Sequence, residues 1–368
     1  MIKVLFFTNI PSPYRVDFFN ELGKMCDLTV LYERCDADDR DQNWMKLNEN
    51  YYYKSVFLRG KKIGADSAFC PEVMKYWKDS KYDIKIVGDY ATPTGIFSCL
   101  YMHMRGITYG IECDGGFLRE GERRIVKTLK TLLLSNASYI FSPGKMTDQY
   151  LKSYGVKMDK IYRYPFTSLN KKDIENARRD KNRKEDIKKK LGIEEDKIVL
   201  SVGQMIYRKG FDILLESAKE LKKNVGVYIV GGNPPKEYII YVEKNRLNNV
   251  HFVGFQKKEV LAKYYLMADI FAFPTREDIW GLVIGEAMSF GLPVITTEKC
   301  VAGVELLEKG GGQIIPSENT RMLVTAINRI LDNEELQKQY SEESVDIIKD
   351  YTIEKMAEIH FNILKRIV

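Results

Sequence analysis

Short apolar runs recur along the chain, each followed by a stretch whose apolar positions have helical spacing. The first series reads as strands at Lys3 to Thr8, Leu28 to Tyr32, Ile84 to Val87, Ile107 to Ile111 and Tyr139 to Ser142. A second series follows at Ile198 to Val202, Val227 to Val230, His251 to Val253, Ile270 to Phe273 and Val294 to Thr296. Runs this short, alternating with amphipathic helices, indicate βαβ units on parallel sheets. The pattern therefore predicts an α/β protein with two doubly wound domains. In such sheets ligands bind beyond the carboxyl ends of the strands.

Between the two series, Lys171 to Lys190 is polar, charge-dense and without apolar periodicity, which marks a domain junction. The expected organisation is an N-terminal domain over 1–168, a charged linker over 169–195 and a C-terminal domain over 196–345. A last segment, 346–368, is a candidate helix to pack back on the N-terminal domain. From Asn333 to Val368 the pattern is helical, with a break at Tyr351.

Composition adds bounds. A chain of 368 residues exceeds one ordinary core, and 45% hydrophobic with 29% charged residues is typical of a globular enzyme. The formal charge of +6 suits anionic ligands or an anionic membrane surface. The basic residues do not interleave with aromatics, which argues against a nucleic-acid partner. Six cysteines without a C-x-x-C pair argue against a zinc site and for reduced thiols in the cytoplasm. The apolar start, Met1 to Phe7, is too short for a signal-peptide core or a membrane span and reads as a first strand.

Chemistry concentrates in 274–295. A strand runs into a loop bearing Glu277 and Asp278; a short helix opens near Gly281, carries Glu286 on its second turn and stops at Gly291-Leu-Pro. Unpaired N–H groups at a helix start attract phosphate, and flanking carboxylates can accept hydrogen bonds from sugar hydroxyls. Upstream, Gly203 and Gln204 end a strand, and Arg208 and Lys209 follow in the loop before Gly210. Two cations at a strand–helix turn suit a diphosphate, although a solvated basic loop has the same composition. Gly231 and Gly232 end another strand and would let a ligand approach the backbone. Phe255 follows a third strand, either as a nucleobase contact or as core filler.

Gly203 with Arg208-Lys209-Gly210, the Val-Gly-Gly turn, Ala268-Asp-Ile-Phe-Ala-Phe-Pro and the acid-x7-Glu spacing of Asp278 and Glu286 together resemble the family 4 retaining glycosyltransferases. The resemblance implies the GT-B fold: two Rossmann-like domains facing a central cleft, acceptor on the first and nucleotide-sugar donor on the second. It implies that Glu286 binds the nucleotide ribose and that Asp278 touches donor-sugar hydroxyls. Backbone amides of Gly281, Leu282 and Val283 would meet the diphosphate, and Lys209 with Arg208 would stabilise the leaving phosphate. The implied activity is metal-independent sugar transfer, with no cofactor, from a UDP- or GDP-linked donor to a glycan or polyprenyl-linked acceptor in cell-surface polysaccharide assembly. A nucleotide-sugar epimerase or a non-catalytic binding subunit on the same fold are the alternatives. Two departures from the family stand out: Asp278 replaces the usual Glu, with Glu277 beside it, and Gln204 replaces the usual Arg.

In the N-terminal half, Pro13, Tyr14 and Arg15 follow the first strand, where the resemblance places acceptor contacts; Arg15 also reads as an exposed helix residue. Glu112 and Asp114 stand where relatives place a His-Asp pair near the donor sugar, and also read as a plain acidic turn. Arg119, Arg123, Arg124, Lys127 and Lys130 accompany an apolar stripe at Ile125, Leu129 and Leu132. Such a helix can rest on anionic headgroups, which would make the protein peripheral at the inner membrane face, or can cover a core. The run Asp36-Ala-Asp-Asp has D-x-D spacing but reads as surface charge, and no metal is expected. The three histidines are far apart, and nothing marks one as a base.

Overall fold

The computed structural model describes residues 1–36, 51–118, 121–177 and 181–368. The chain divides into two compact units, Met1–Thr167 with Thr352–Val368, and Ser168–Tyr351.

In the first unit the strands are β1 (Lys3–Thr8), β2 (Asp27–Tyr32), β3 (Lys54–Phe57), the small pair β4 (Lys61–Ile63) and β5 (Ser67–Phe69), β6 (Ile84–Val87), β7 (Gly110–Glu112), β8 (Tyr139–Ser142) and β9 (Ile161–Arg163). Seven of them form a parallel sheet in the order β3-β2-β1-β6-β7-β8-β9, while β4 and β5 pair antiparallel. Central strands are buried along nearly their whole length because helices cover both faces, which explains their mainly apolar sequences; Lys85 in β6 is the buried exception.

The second unit holds β10 (Lys197–Val202), β11 (Val225–Val230), β12 (Val250–Val253), β13 (Ile270–Phe273), β14 (Val294–Thr297) and β15 (Gly312–Ile315). These are parallel throughout, in the order β12-β11-β10-β13-β14-β15. The order reverses between β10 and β13, which opens a crevice at their carboxyl ends. In the first unit the same reversal falls between β1 and β6.

Three expectations need correction. The strand expected from Ile107 begins only at Gly110, because the Ile107 N–H bonds Met102 O at 2.9 Å and closes the preceding helix past Gly106. Residues 169–195 are no linker: they belong to the second unit, where the helix Lys181–Leu191 packs on the helix Lys258–Met267. Lys184 and Lys188 are buried there, Lys184 pairing with Asp269 at 2.7 Å and Lys188 donating to Asp196 O at 3.3 Å. Finally, the units part at Thr352 and not at 346: the Thr352 hydroxyl caps the last helix, Ile353–Ile367, which packs on the helix Pro13–Gly23 of the first unit.

Candidate active site

In the second unit, the residues picked from sequence gather at the carboxyl ends of four neighbouring strands. Gly203 and Gln204 follow β10, Gly231 and Gly232 follow β11, Phe255 follows β12, and Glu277 and Asp278 follow β13. Phe255 is 44% exposed, so it is a free aromatic face and not core filler. Arg208 and Lys209 lie on a single 3-10 turn, Tyr207–Lys209.

Asp278 is buried, and the cations converge on it. Lys209 Nζ sits 2.5 Å from Asp278 Oδ2, and Arg208 Nη1 is 3.9 Å from Oδ1 while donating to Glu277 O at 2.7 Å. Phe273, the last residue of β13, lies under the Lys209 ammonium at 5.0 Å. Glu277 is partly exposed.

Immediately beyond, Gly281 caps the helix Leu282–Ser289 with φ of 99°, a backbone angle that disfavours any side chain. A Cβ there would also meet Cys300 Sγ at 2.7 Å. Leu282 and Val283 are only half-buried, and the first-turn amides carry the positive end of the helix dipole. Glu286, one turn on, is held at both oxygens: Ser168 donates to Oε1 and Tyr265 to Oε2, each at 3.0 Å. Burial, and then Glu286 itself, push the Tyr265 hydroxyl's pKa well up, so it stays a donor. Cations, a helix start and a braced carboxylate thus share one rim, an arrangement able to attract an anion and to accept hydrogen bonds from hydroxyls.

Sequence reasoning missed Ser168, Tyr265, Thr275 and Arg276. Thr275 is fully buried and its hydroxyl donates to Arg208 O at 2.9 Å, tying the loop after β13 to the cationic turn. No sequence signal marks Ser168 or Tyr265. Arg276 stands within the chemistry-bearing segment 274–295, but its partners Asp212 and Glu318 lie outside it.

In the first unit the picture differs from expectation. Pro13 is exposed and Tyr14 partly exposed, but Arg15 is only 2% exposed and lies on neither an open helix face nor an accessible surface. Its Nη1 donates to Glu112 Oε1 and its Nη2 to Asp114 Oδ1. Glu112, fully buried at the end of β7, also meets His360 Nε2 at 3.1 Å, and His360 Nδ1 lies 2.8 Å from Met356 O. The His360 ring stacks on Phe141 at 4.5 Å. A side chain with no exposed atom cannot touch a substrate, so the catalytic assignment of Glu112 is corrected to an internal one, and Arg15 likewise makes internal bonds. Burial raises the Glu112 carboxyl, but Arg15 and His360 outweigh it and bring its pKa down to about 2. Asp114 shares the same guanidinium, yet burial, with repulsion from Glu112 and Asp89, pushes its pKa up to about 7. Its side chain keeps 26% exposure, so Asp114 alone of this trio faces solvent.

The helix Arg124–Ser135 buries Leu133 and Leu134; of the stripe expected at Ile125, Leu129 and Leu132, Leu129 is half-buried against the core while Ile125 and Leu132 face solvent. Ile125 is 84% exposed, and Leu118, Val126 and Leu132 are also open to solvent beside exposed Arg123, Arg124 and Lys127. Lys130 points inward to Glu122 at 2.5 Å. Arg119 lies outside the described residues, as do Asp38 and Asp39 of the D-x-D run; Asp36 pairs with Arg34 at 2.9 Å and Lys62 at 3.2 Å. Among the described residues no helix is long and apolar enough to cross a membrane.

Comparison with known proteins gives a consistent picture. Residues 183–345 match the family model described as Glycosyl transferases group 1. An uncharacterised glycosyltransferase of Haemophilus influenzae is 32% identical over 178 residues, 46% of this chain and 50% of that protein. The match thus spans half the length of that relative. The O-antigen chain mannosyltransferase C of Escherichia coli is 27% identical over 315 residues, 81% of this chain and 80% of that protein. Among solved structures, Anabaena Alr3699/HepE in complex with UDP and glucose superposes with a TM-score of 0.79 at 16% identity, over 100% of both chains. That likeness shows the fold, GT-B with two Rossmann-like domains.

Proposed function

We propose, from the premise that residues 183–345 are a glycosyl transferases group 1 domain, that the protein is a retaining glycosyltransferase using a UDP- or GDP-linked sugar. The acceptor in this reading is a glycan or a polyprenyl-linked glycan of cell-surface polysaccharide, a class supported by the likeness to an O-antigen mannosyltransferase. The single observation that carries the proposal is the convergence of Lys209 and Arg208 on the rim that also holds the Gly281–Val283 helix start. Sugar transfer from a nucleotide diphosphate places negative charge on the departing phosphate. Preorganised cations and amides aimed at that charge supply roughly 3–4 kcal/mol of transition-state stabilisation per strong donor. Glu286 would bind the ribose, Asp278 or its neighbour Glu277 the donor-sugar hydroxyls, and Phe255 the base. In this scheme Asp278 holds the Lys209 ammonium in place until the diphosphate competes for it. No metal and no cofactor enter the scheme.

The exposed Ile125, Val126, Leu132 and Leu118 beside Arg123, Arg124 and Lys127 support a second element of the reading, peripheral docking on an anionic membrane surface. Such docking would bring the enzyme to a polyprenyl-linked acceptor.

Incubation with UDP- and GDP-sugars and a polyprenyl-linked glycan tests the transfer. A glycoside of the donor's own anomeric configuration, seen by NMR, is the expected product. Epimerised sugar formed without acceptor would instead identify an epimerase, and donor binding without turnover on any acceptor would identify a binding subunit.

A further inference from the structure

We infer that Arg276 is a positioning residue for the cationic turn of the donor site, holding Arg208 and Lys209 where they meet the diphosphate. The inference rests on the proposed role of that turn. Arg276 follows β13, its side chain is 12% exposed, and its guanidinium makes five hydrogen bonds. Nη1 donates to Asp212 Oδ1 and to Tyr207 O, each at 2.7 Å. Nη2 donates to Asp212 Oδ2 at 2.6 Å and to Glu318 Oε2 at 3.1 Å, and Nε donates to Glu318 Oε1. A guanidinium has five N–H donors, so none remains for a ligand. Arg276 therefore acts on the site through its neighbours and not by gripping phosphate itself.

What it holds is the Tyr207–Lys209 turn. The guanidinium lies 3.8 Å over the Tyr207 ring, its Nη1 caps Tyr207 O, and its own backbone N–H donates to Arg208 O at 2.9 Å. Behind the turn, Gly210 has φ of 70° and a Cβ there would sit 2.0 Å from Pro274 O, so the loops after β10 and β13 are in backbone contact. The anchors on the far side are Asp212, in the first turn of the helix Phe211–Ala218, and Glu318, whose φ of 61° is uncommon for a non-glycine residue. Lysine cannot copy the fork: it offers one nitrogen where three are in use here.

The test is calorimetric titration of the full chain with UDP and GDP, with uridine and guanosine as references. Arg276→Ala should weaken diphosphate binding by roughly 10- to 100-fold, the scale of losing about one charge-assisted hydrogen bond to the diphosphate. It should leave nucleoside binding within about threefold and cost less than about threefold on a background already lacking both cations, Arg208→Ala with Lys209→Ala, since non-additivity is the mark of action through a partner. Arg276→Lys should recover only part of the loss. If Arg276→Ala does not fold, Arg276→Lys carries the same comparison with a several-fold effect. Wild-type affinity in Arg276→Ala, or an equal loss on the cation-free background, or an equal loss for the nucleosides, overturns the inference. If removal of Arg208 and Lys209 themselves leaves diphosphate affinity unchanged, it is the donor-site reading that fails.

Discussion

Lys209→Ala separates stability from catalysis at one side chain. The wild-type ammonium, 12% exposed, lies 2.5 Å from an Asp278 side chain that is 9% exposed. Without it the carboxylate keeps Arg208 at 3.9 Å and the Trp280 N–H at 3.4 Å. Breaking a buried ion pair from one side costs about 3–5 kcal/mol. The remaining cation and amide reduce that here to about 2–3 kcal/mol. At roughly 2–4 °C per kcal/mol for a unit of this size, calorimetry should record the melting transition about 5–10 °C lower. Asp278→Asn in the same molecule removes the orphaned charge and should restore most of the loss. Turnover should behave differently. Lys209→Ala should lower it about 10²- to 10³-fold, the effect of removing a donor aimed at developing charge, and Asp278→Asn should not recover it. A Lys209→Ala protein that melts with the wild type, or a double variant that regains turnover, would refute the reasoning.

Further outcomes are expected elsewhere. Glu112 has a folded pKa near 2 against an ordinary 4.5, so its contribution to stability is complete above pH 4.5 and disappears as the pH falls toward 2. Denaturant titrations should therefore show Glu112→Gln much less stable than wild type at pH 6, with the gap shrinking below pH 4.5 and nearly closed at pH 2. Asp114 has the opposite sign: its pKa, raised to about 7, makes the wild type lose stability relative to Asp114→Asn as the pH rises from 4 through 7. Ile125→Asp should abolish flotation with anionic vesicles at low salt while leaving the melting transition unchanged, because Ile125 is 84% exposed. EDTA should leave the transfer rate unaltered; a rate restored only by added divalent ion would refute metal-independent transfer.

Much of this architecture was legible in the chain. Strands buried on both faces, such as β1, β6, β8 and β13, are mainly apolar and legible at or near their true ends. The strands β3, β4 and β9 were not, because they are largely half-buried or exposed and carry no apolar run. The stretch around Lys184 and Lys188 looked like a linker because buried lysines are invisible to composition. Their partners, Asp269 and the Asp196 carbonyl, are supplied by the folded unit. The proposed donor rim was readable because its residues lie in two short segments, 203–210 and 277–286, whose spacing reflects strand ends. Arg15 was not, since what buries it comes from residues 97 and 99 positions away. The same holds for Arg276, whose role depends on Asp212 and Glu318, 64 and 42 positions distant.

Amide hydrogen exchange with and without UDP or GDP tests the central claim most directly, because it asks where the nucleotide diphosphate sits. The account predicts that one of the two slows exchange at Gly281, Leu282 and Val283 and across 203–210, and that Lys209→Ala abolishes this protection. Protection confined to other segments, or none with either nucleotide at saturating concentration, would contradict it.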